Sequence, residues 1–284
     1  MSSKSSIFRS IVQSRKTCRR FEPGRRIPDK IKEDVLNSTL RSPSSFNLQP
    51  SQIIFIESQD VKDALSEHAM LGPGNQYRIK QASAVAVFLS DLEPTKRVNR
   101  IHQLEKNHRH PNYRAVFPLS TSFLIGEGHA ANLIKGIATE WLSAVKPMPE
   151  IEPVQAWSYK NTGLLAQTFV YAAESYDLST AMMEGFDPRR TRDLLRIPDR
   201  YAIPLMVATG YEYEEEQDFT QGKETPRLDV SEIVFSDYFG EMWDPTSNNT
   251  ASSSRNDVNE DEPAFQSPQT ATGLPPLRSK INLK

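Results

Sequence analysis

Apolar residues recur along this chain with two spacings, which predict alternating helices and strands. Apolar positions three and four apart, with helix-start signals, predict helices over residues 6–14, 28–40, 61–70, 159–176 and 188–195. Short apolar runs predict strands over residues 52–57, 84–89, 178–182 and 205–208. The 84–89 run has no polar face, which is typical of a strand covered on both sides. Helices rather than hairpins separate most strands, so the pattern predicts one domain that mixes the two.

Two regions lack a regular pattern. Residues 91–153 contain clustered prolines and four of the five histidines, and we expect at most a turn or two of helix there, near residues 139–145. Residues beyond 245 are mainly Ser, Asn, Asp, Gln and Pro, with too little apolar surface to offset the entropy of ordering. The sequence therefore predicts a folded domain over residues 1–244 and a disordered tail over residues 245–284.

Composition narrows the function classes. The 284 residues carry a net charge of −2 and no long basic stripe, so charge gives no reason to expect nucleic acid as a partner. No apolar run approaches the ~20 residues that cross a bilayer, so we expect no membrane partner either. Residues 2–20 are rich in Ser and Arg, like a mitochondrial presequence, but they continue into the next elements without a cleavable spacer. We therefore expect a cytoplasmic protein, with a mitochondrial or other organellar location left open.

The single cysteine, Cys18, supports a reducing compartment because it has no internal disulfide partner. Arg15, Lys16, Arg19 and Arg20 flank it, and nearby cations can lower a thiol pKa and make the sulfur reactive. A structural role is the favoured interpretation, and the reactive thiol is the alternative.

Four polar clusters lie between the predicted elements, at residues 15–21, 42–50, 75–78 and 223–227. The second reads Ser-Pro-Ser-Ser-Phe-Asn-Leu-Gln-Pro and places hydroxyl and amide side chains between two prolines, directly before a predicted strand. Arginine and lysine in the other clusters suit a phosphate. Amides and hydroxyls suit the edge of a heterocycle. Together the clusters favour a planar, polar, phosphate-bearing ligand, although each alone also fits a solvated surface.

The order and spacing of these clusters resemble the FMN-dependent nitroreductases. The matching motifs are Ser-Arg-x-Thr-x-Arg-x-Phe, Ser-Pro-Ser-Ser-x-Asn-x-Gln-Pro, Glu-Gly-Phe-Asp followed by Leu-x-Ile-Pro, and a late basic pair. The resemblance runs from about Ile7 to Trp243 and is weakest over residues 91–153, where the family carries a variable lid. It implies an α+β fold with a mainly antiparallel sheet flanked by helices, and an obligate homodimer with FMN at the interface.

The resemblance also implies which residues hold the phosphate end of FMN. Arg15 and Thr17 match residues that bind the ribityl-phosphate arm. Lys223 and Arg227 match the basic pair that binds the phosphate itself.

A second group matches residues around the isoalloxazine ring. Arg19 and Asn75 match positions at its pyrimidine edge, and Arg78 falls where relatives often carry lysine. Glu184 and Gly185 match a turn whose backbone N–H groups approach N5 and O4. Hydride arriving at N5 leaves negative charge over N1 and the C2 carbonyl, so fixed cations there stabilise the reduced ring.

A third group implies that two chains build each site. Pro43, Ser44, Ser45 and Asn47 match residues that reach the flavin of the neighbouring subunit. Ser51 stands where relatives often carry an aromatic residue, which leaves substrate preference open. No catalytic side chain is implied, because the cofactor performs the difficult step.

The implied function is an FMN-dependent oxidoreductase that uses NADH or NADPH to reduce nitroaromatics, quinones or similar flat electrophiles by a ping-pong mechanism. The alternatives are narrower flavin chemistry, such as dehalogenation or enoate reduction, and a flavin-binding regulatory protein with an interaction tail. Tyr113, Phe117 and Phe123 are candidates to line the substrate mouth, although a packed helical excursion would use the same residues.

Two further signals are weaker. His102, His108, His110 and His129 lack the spacing of common metal sites, so we expect no metal. Gly126-Glu127-Gly128-His129-Ala130-Ala131 imitates a dinucleotide fingerprint but has no convincing strand before it, and we interpret it as a turn.

Overall fold

The structure is a computed structural model that describes residues 3–213, 225–241 and 243, apart from the side chain of His129. The chain divides into two units, Met1–Phe219 and Thr220–Lys284. The helices of the first unit are α1 Lys4–Ser14, α2 Asp29–Thr39, α3 Gln59–His68, α4 Pro73–Gln81, α5 Val98–Leu104, α6 Pro111–Leu124, α7 His129–Ser143, α8 Val154–Glu174 and α9 Pro188–Leu195. Its strands are β1 Ser51–Ile56, β2 Ala84–Asp91, β3 Ser179–Met183 and β4 Tyr201–Gly210. The described part of the second unit contains α10, Val230–Ile233, and the predicted tail lies outside the described residues.

The four strands form one antiparallel sheet in the order β1-β2-β4-β3. β2 and β4 are central, and β1 and β3 are the two edges. The predicted α+β fold with an antiparallel sheet flanked by helices is therefore confirmed.

The sheet is covered by helices on both faces. Every residue of β2 is buried, as its uninterrupted apolar run predicts. Val85 and Val87 face the core formed with α3 and α4, and Ala86 and Phe88 face the core formed with α2 and α8. The alternation follows from the period of two along a strand.

β4 begins four residues earlier than predicted, at Tyr201, and contains Pro204. The register between β2 and β4 shifts between Phe88 and Ser90, so Pro204 lies at an irregularity in the ladder. A proline lacks the N–H that a regular ladder needs, and a bulge is one of the places where a strand tolerates it. The prediction started the strand after this proline and was therefore too short.

The region after β2 is helical, and our expectation of one or two helical turns there was wrong. Helices α5, α6 and α7 occupy most of it, and Gly128 precedes α7 with a φ of 79°. Phe117 of α6 is 1% exposed in a core cluster with Leu48 and Trp157. A packed helical excursion therefore describes this region, and Phe117 is part of its core.

Helix α1 does not turn its apolar face into the core of its own chain. The helix has no buried residue, and Ile7 and Val12 are 49% and 38% exposed. Phe8 makes an edge contact with Tyr171 of α8 at 5.8 Å between ring centroids. Within the described residues, most of this apolar face has no cover.

None of the described helices is both long and apolar enough to span a membrane.

Candidate cofactor site

The segment after α1 lies along the edge strand β3. The Cys18 N–H donates to the Thr180 carbonyl at 2.8 Å, and Thr17 forms a bridge with the same residue. A little further on, the Tyr213 N–H donates to the Arg20 carbonyl at 3.0 Å. These bonds fix the backbone that carries Arg15, Thr17 and Arg19 beside β3.

Two side chains of α4 join this segment to the turn after β3. Arg78 Nε donates to the Cys18 carbonyl at 3.1 Å, and its NH1 donates to Asn75 Oδ1 at 3.0 Å. Asn75 Nδ2 donates to the Gly185 carbonyl at 3.3 Å. Three segments that lie far apart in sequence, residues 15–19, 75–78 and 184–185, therefore meet at one place. We call residues 15–19, Asn75, Arg78, Glu184 and Gly185 the β3-edge cluster.

Gly185 is required by close packing inside this cluster. A Cβ atom added to it would lie 2.5 Å from Asn75 Nδ2. The Leu71 N–H also donates to the Gly185 carbonyl, at 2.9 Å, so the backbone is held from two sides. A glycine here lets the Asn75 side chain pack directly against the peptide backbone of residue 185.

The cluster carries positive charge. Among the described residues, no carboxylate lies within ion-pair distance of Arg78, whereas Lys16 pairs with Glu212 at 3.0 Å. Arg78 therefore offers a fixed cation that is not neutralised by its described surroundings. Glu184, the carboxylate within the cluster, is exposed to solvent.

Cys18 is a core residue and not a reactive thiol. It is 0% exposed, and its Sγ donates to the Arg20 carbonyl at 3.0 Å. Burial, with a further contribution from the charge of Glu212, raises the pKa of the thiol to about 12. The favoured structural interpretation agrees with this burial, and the flanking cations do not reverse it.

The 42–50 loop lies at the other edge of the sheet, where it leads into β1. The Ser45 N–H donates to Asn161 Oδ1 of α8 at 2.7 Å, and Asn161 is 3% exposed. Ser44 Oγ accepts from the Gln49 N–H at 3.0 Å. Asn47 Nδ2 donates to Glu105 Oε1 at 3.0 Å, which leaves its second N–H for another acceptor.

The backbone of this loop is strained. Phe46, Asn47 and Gln49 have φ values of 56°, 52° and 49°. These values lie in the left-handed region, which residues other than glycine rarely adopt. Each such residue costs on the order of 1–3 kcal/mol and persists only when the surroundings impose it. Strain of this kind is common at ligand-binding sites.

The two groups of predicted residues stand at opposite edges of the sheet within one chain. Three inter-strand spacings, about 14 Å in total, separate β1 from β3. Pro43, Ser44, Ser45 and Asn47 therefore belong to a different surface from the β3-edge cluster. Asn161 and Glu105, which hold the loop, were missed by the sequence reading. The polar run Ser158-x-x-Asn161-Thr162 inside an otherwise apolar helix is a signal for the first of them.

The predicted basic pair is only partly described. Arg227 lies in the second unit, where its NH1 donates to the carbonyls of Thr225 and Pro226 at 3.4 and 3.0 Å. Lys223 lies outside the described residues. Within the residues that the structure describes, no group of three His, Cys, Asp or Glu side chains is placed to hold a metal ion.

Comparisons with known proteins identify relatives along most of the first unit. A profile of the Nitroreductase family matches residues 12–211. A Thermus thermophilus protein named NADH dehydrogenase is 29% identical over 208 residues, which cover 73% of this chain and 85% of that protein. An oxygen-insensitive NADPH nitroreductase of Helicobacter pylori is 21% identical over 204 residues, covering 71% and 86%. An Exiguobacterium sibiricum protein crystallised in complex with FMN has the same fold, with a TM-score of 0.60 and 19% identity over 80% of this chain and 95% of that one.

Proposed function

Because the chain belongs to the nitroreductase family, we propose that it binds FMN, oxidises NADH or NADPH, and then reduces a nitroaromatic, a quinone or a similar flat electrophile at the same site. The observation that carries this proposal is the β3-edge cluster. In it, Arg78 donates to Asn75, and Asn75 donates in turn to the carbonyl of the closely packed Gly185.

The residues of the cluster fit the chemistry of FMN. When bound, FMN supplies the centre that accepts and donates hydride. Arg78 would provide a fixed cation for the negative charge that reduction adds. The Nδ2 group of Asn75 already donates to the Leu71 and Gly185 carbonyls, so its Oδ1 would accept a hydrogen bond from a ring N–H. Gly185 lets the Asn75 side chain pack directly against the adjacent peptide backbone. Arg15, Thr17 and Arg19 are fixed along the same edge, where they can bind the ribityl-phosphate arm.

A second copy of the chain completes the site in this proposal. The 42–50 loop carries the remaining predicted residues but lies at the opposite edge of its own sheet. The apolar surface of α1 and α8 offers a place for the second copy to pack, because Ile7, Phe8 and Leu164 are 49%, 58% and 49% exposed. We therefore propose a homodimer in which each loop reaches the partner's cluster.

Phe8→Asp tests this dimer. The substitution puts a carboxylate on an apolar surface that we expect to be desolvated, so the dimer should weaken by at least tenfold. Light scattering across a dilution series measures it. Gln13→Asp, a similar change at another exposed position of α1, is the control and should leave the dimer intact. Equal dimer stability in both variants would place the interface elsewhere.

Turnover tests the activity itself. Protein reconstituted with FMN should oxidise NADH or NADPH only when a quinone or nitroarene is present to accept the electrons, apart from slow background reaction with oxygen. Initial rates at varied concentrations of both substrates should give the parallel lines of a ping-pong mechanism. Absence of turnover with every quinone and nitroarene tried, in protein that holds FMN, would contradict the proposed substrate class.

A further inference from the structure

The strained conformation of the 42–50 loop needs support from outside the loop. Its internal bonds, from the Gln49 N–H to Ser44 Oγ and from Gln49 Nε2 to Asn47 Oδ1, close the turn but do not attach it to the fold. The attachments come from buried or partly buried polar groups of other elements. Two of them lie in the excursion that follows β2.

The first attachment runs through Arg97. Its NH1 donates to the Gln49 carbonyl, and its Nε donates to Asp91 Oδ2 at 3.0 Å. Asp91 is fully buried at the end of β2, where Arg200 donates to both of its carboxylate oxygens, at 2.7 and 2.6 Å. The Asp91 N–H also donates to the Pro50 carbonyl at 2.8 Å. The end of the loop is thus connected to a charged network anchored in the central strands.

The second attachment runs through Glu105, the residue that follows α5. Glu105 is 6% exposed, and its Oε1 accepts from Asn47 Nδ2 at 3.0 Å and from Arg109 Nε at 3.4 Å. A hydrogen bond to an ionised carboxylate is about twice as strong as a neutral one. Glu105 therefore fixes the side chain of a residue whose backbone is in the left-handed region.

We propose that Arg97 and Glu105 are positioning residues for FMN binding, which hold the 42–50 loop in the shape that meets the neighbouring subunit's cofactor. This inference rests on the proposed function and deepens it. Neither residue touches the cofactor. Arg97 acts through the Gln49 carbonyl, and Glu105 acts through the Asn47 amide. The helical region that follows β2 therefore holds the 42–50 loop in place, in addition to any contact it makes with the substrate.

The test compares Arg97→Ala and Glu105→Ala with a matched control, Arg100→Ala. Arg100 is an exposed arginine of α5, so replacing it with alanine removes the same charge as Arg97→Ala does. The measurements are the FMN dissociation constant of the apo-dimer from flavin fluorescence, amide hydrogen exchange over residues 44–49, and the thermal unfolding midpoint. Glu105→Gln keeps an oxygen that can accept from Asn47 Nδ2.

We expect each alanine variant to bind FMN about tenfold more weakly than the control, a change of about 1.4 kcal/mol. Exchange should accelerate in the loop, the dimer should persist, and the unfolding midpoint should stay within about 3 °C of the control. Glu105→Gln should recover most of the affinity. FMN affinities equal to that of the control would overturn the positioning role while leaving the proposed function intact. Weaker binding together with dimer dissociation or a lower unfolding midpoint would overturn it in favour of a general structural role. Wild-type protein that binds no FMN would instead overturn the proposed function.

Discussion

Replacing Asp91 with asparagine is expected to lower the free energy of unfolding by about 3 kcal/mol. Asp91 is fully buried and accepts hydrogen bonds from Arg200, from Arg97 and from the Glu93 N–H. Asparagine has nearly the same shape but no charge. The substitution therefore leaves the partly buried Arg97 without its carboxylate partner, and it leaves Arg200 with Glu93 alone, whose Oε2 lies 3.6 Å from Arg200 Nε.

The measurement is thermal or denaturant unfolding at neutral pH, where a loss of that size lowers the midpoint by roughly 6–12 °C. Glu93→Gln is the control, since it removes one carboxylate from the same segment. The Glu93 side chain is 43% exposed and pairs with Lys96 at 2.6 Å and with Arg200 at 3.6 Å, and such solvent-exposed pairs contribute about 0–1 kcal/mol. If the two variants unfold at the same temperature, the Asp91 network does not stabilise the fold as we infer.

The same network predicts a pH dependence. Burial opposes ionisation of Asp91, but hydrogen bonds from Arg200, the Glu93 N–H and Arg97 outweigh it and lower the pKa of the carboxyl in the folded state. A lowered folded-state pKa gives stability that is complete above the unfolded pKa, near 3.9, and is lost as the pH falls through the folded value. Asp91→Asn should therefore lose less stability than wild type when the pH is lowered from 5 to 3.

Arg78→Ala is expected to weaken FMN binding by about a hundredfold, which corresponds to about 2.7 kcal/mol. The substitution removes a cation from the β3-edge cluster. It also removes the two hydrogen bonds that the guanidinium donates, one to the Cys18 carbonyl and one to Asn75 Oδ1. It should also make the two-electron potential of bound FMN more negative by about 30 mV, since the cation favours the reduced form.

Lys80→Ala is the control for Arg78→Ala, because Lys80 lies on the same helix and its substitution removes the same charge. Its side chain is 60% exposed and lies 4.0 Å from Asp63, so we expect FMN affinity to stay within about twofold of wild type. FMN titration of the apo-protein and a redox titration of the loaded protein measure both effects. If the two-electron potential of bound FMN is unchanged in Arg78→Ala, this arginine does not stabilise the reduced flavin and serves only to hold the segment after α1 in place.

Elements with a strong local signal were predicted well from the sequence. The apolar run at 84–89 became β2, and the prediction for α9 matches its bounds, Pro188–Leu195, because a proline at the first helical position and an Asp187 cap define its start. Helix α4 was missed, since Gly72-Pro73-Gly74 imitates a turn and the residues after it are mostly polar. Helix α6 was missed because it contains two prolines, which usually argue against a helix. Pro111 occupies the first turn, where proline is tolerated, and Pro118 lies within the helix.

The candidate site was predicted only in part, for a different physical reason. Short motifs identified Arg15, Asn75, Arg78 and Gly185, and the fold brings their segments together. The groups that hold the 42–50 loop act over long sequence separations. Asp91 and Arg200 are 109 residues apart, and neither belongs to a motif. Likewise, the apolar side of α1 can be read from the sequence, but what covers it depends on tertiary and quaternary packing.

The visible absorption spectrum of the purified protein, before and after anaerobic addition of NADH and then NADPH, tests the proposed function most directly. The proposal predicts the spectrum of bound flavin, and it predicts that at least one of the two donors bleaches this spectrum. If the protein is isolated without FMN, the cofactor is added first. Colourless protein that fails to bind added FMN would contradict the proposal at its first step. Bound flavin that neither nicotinamide reduces would contradict the proposed electron donor.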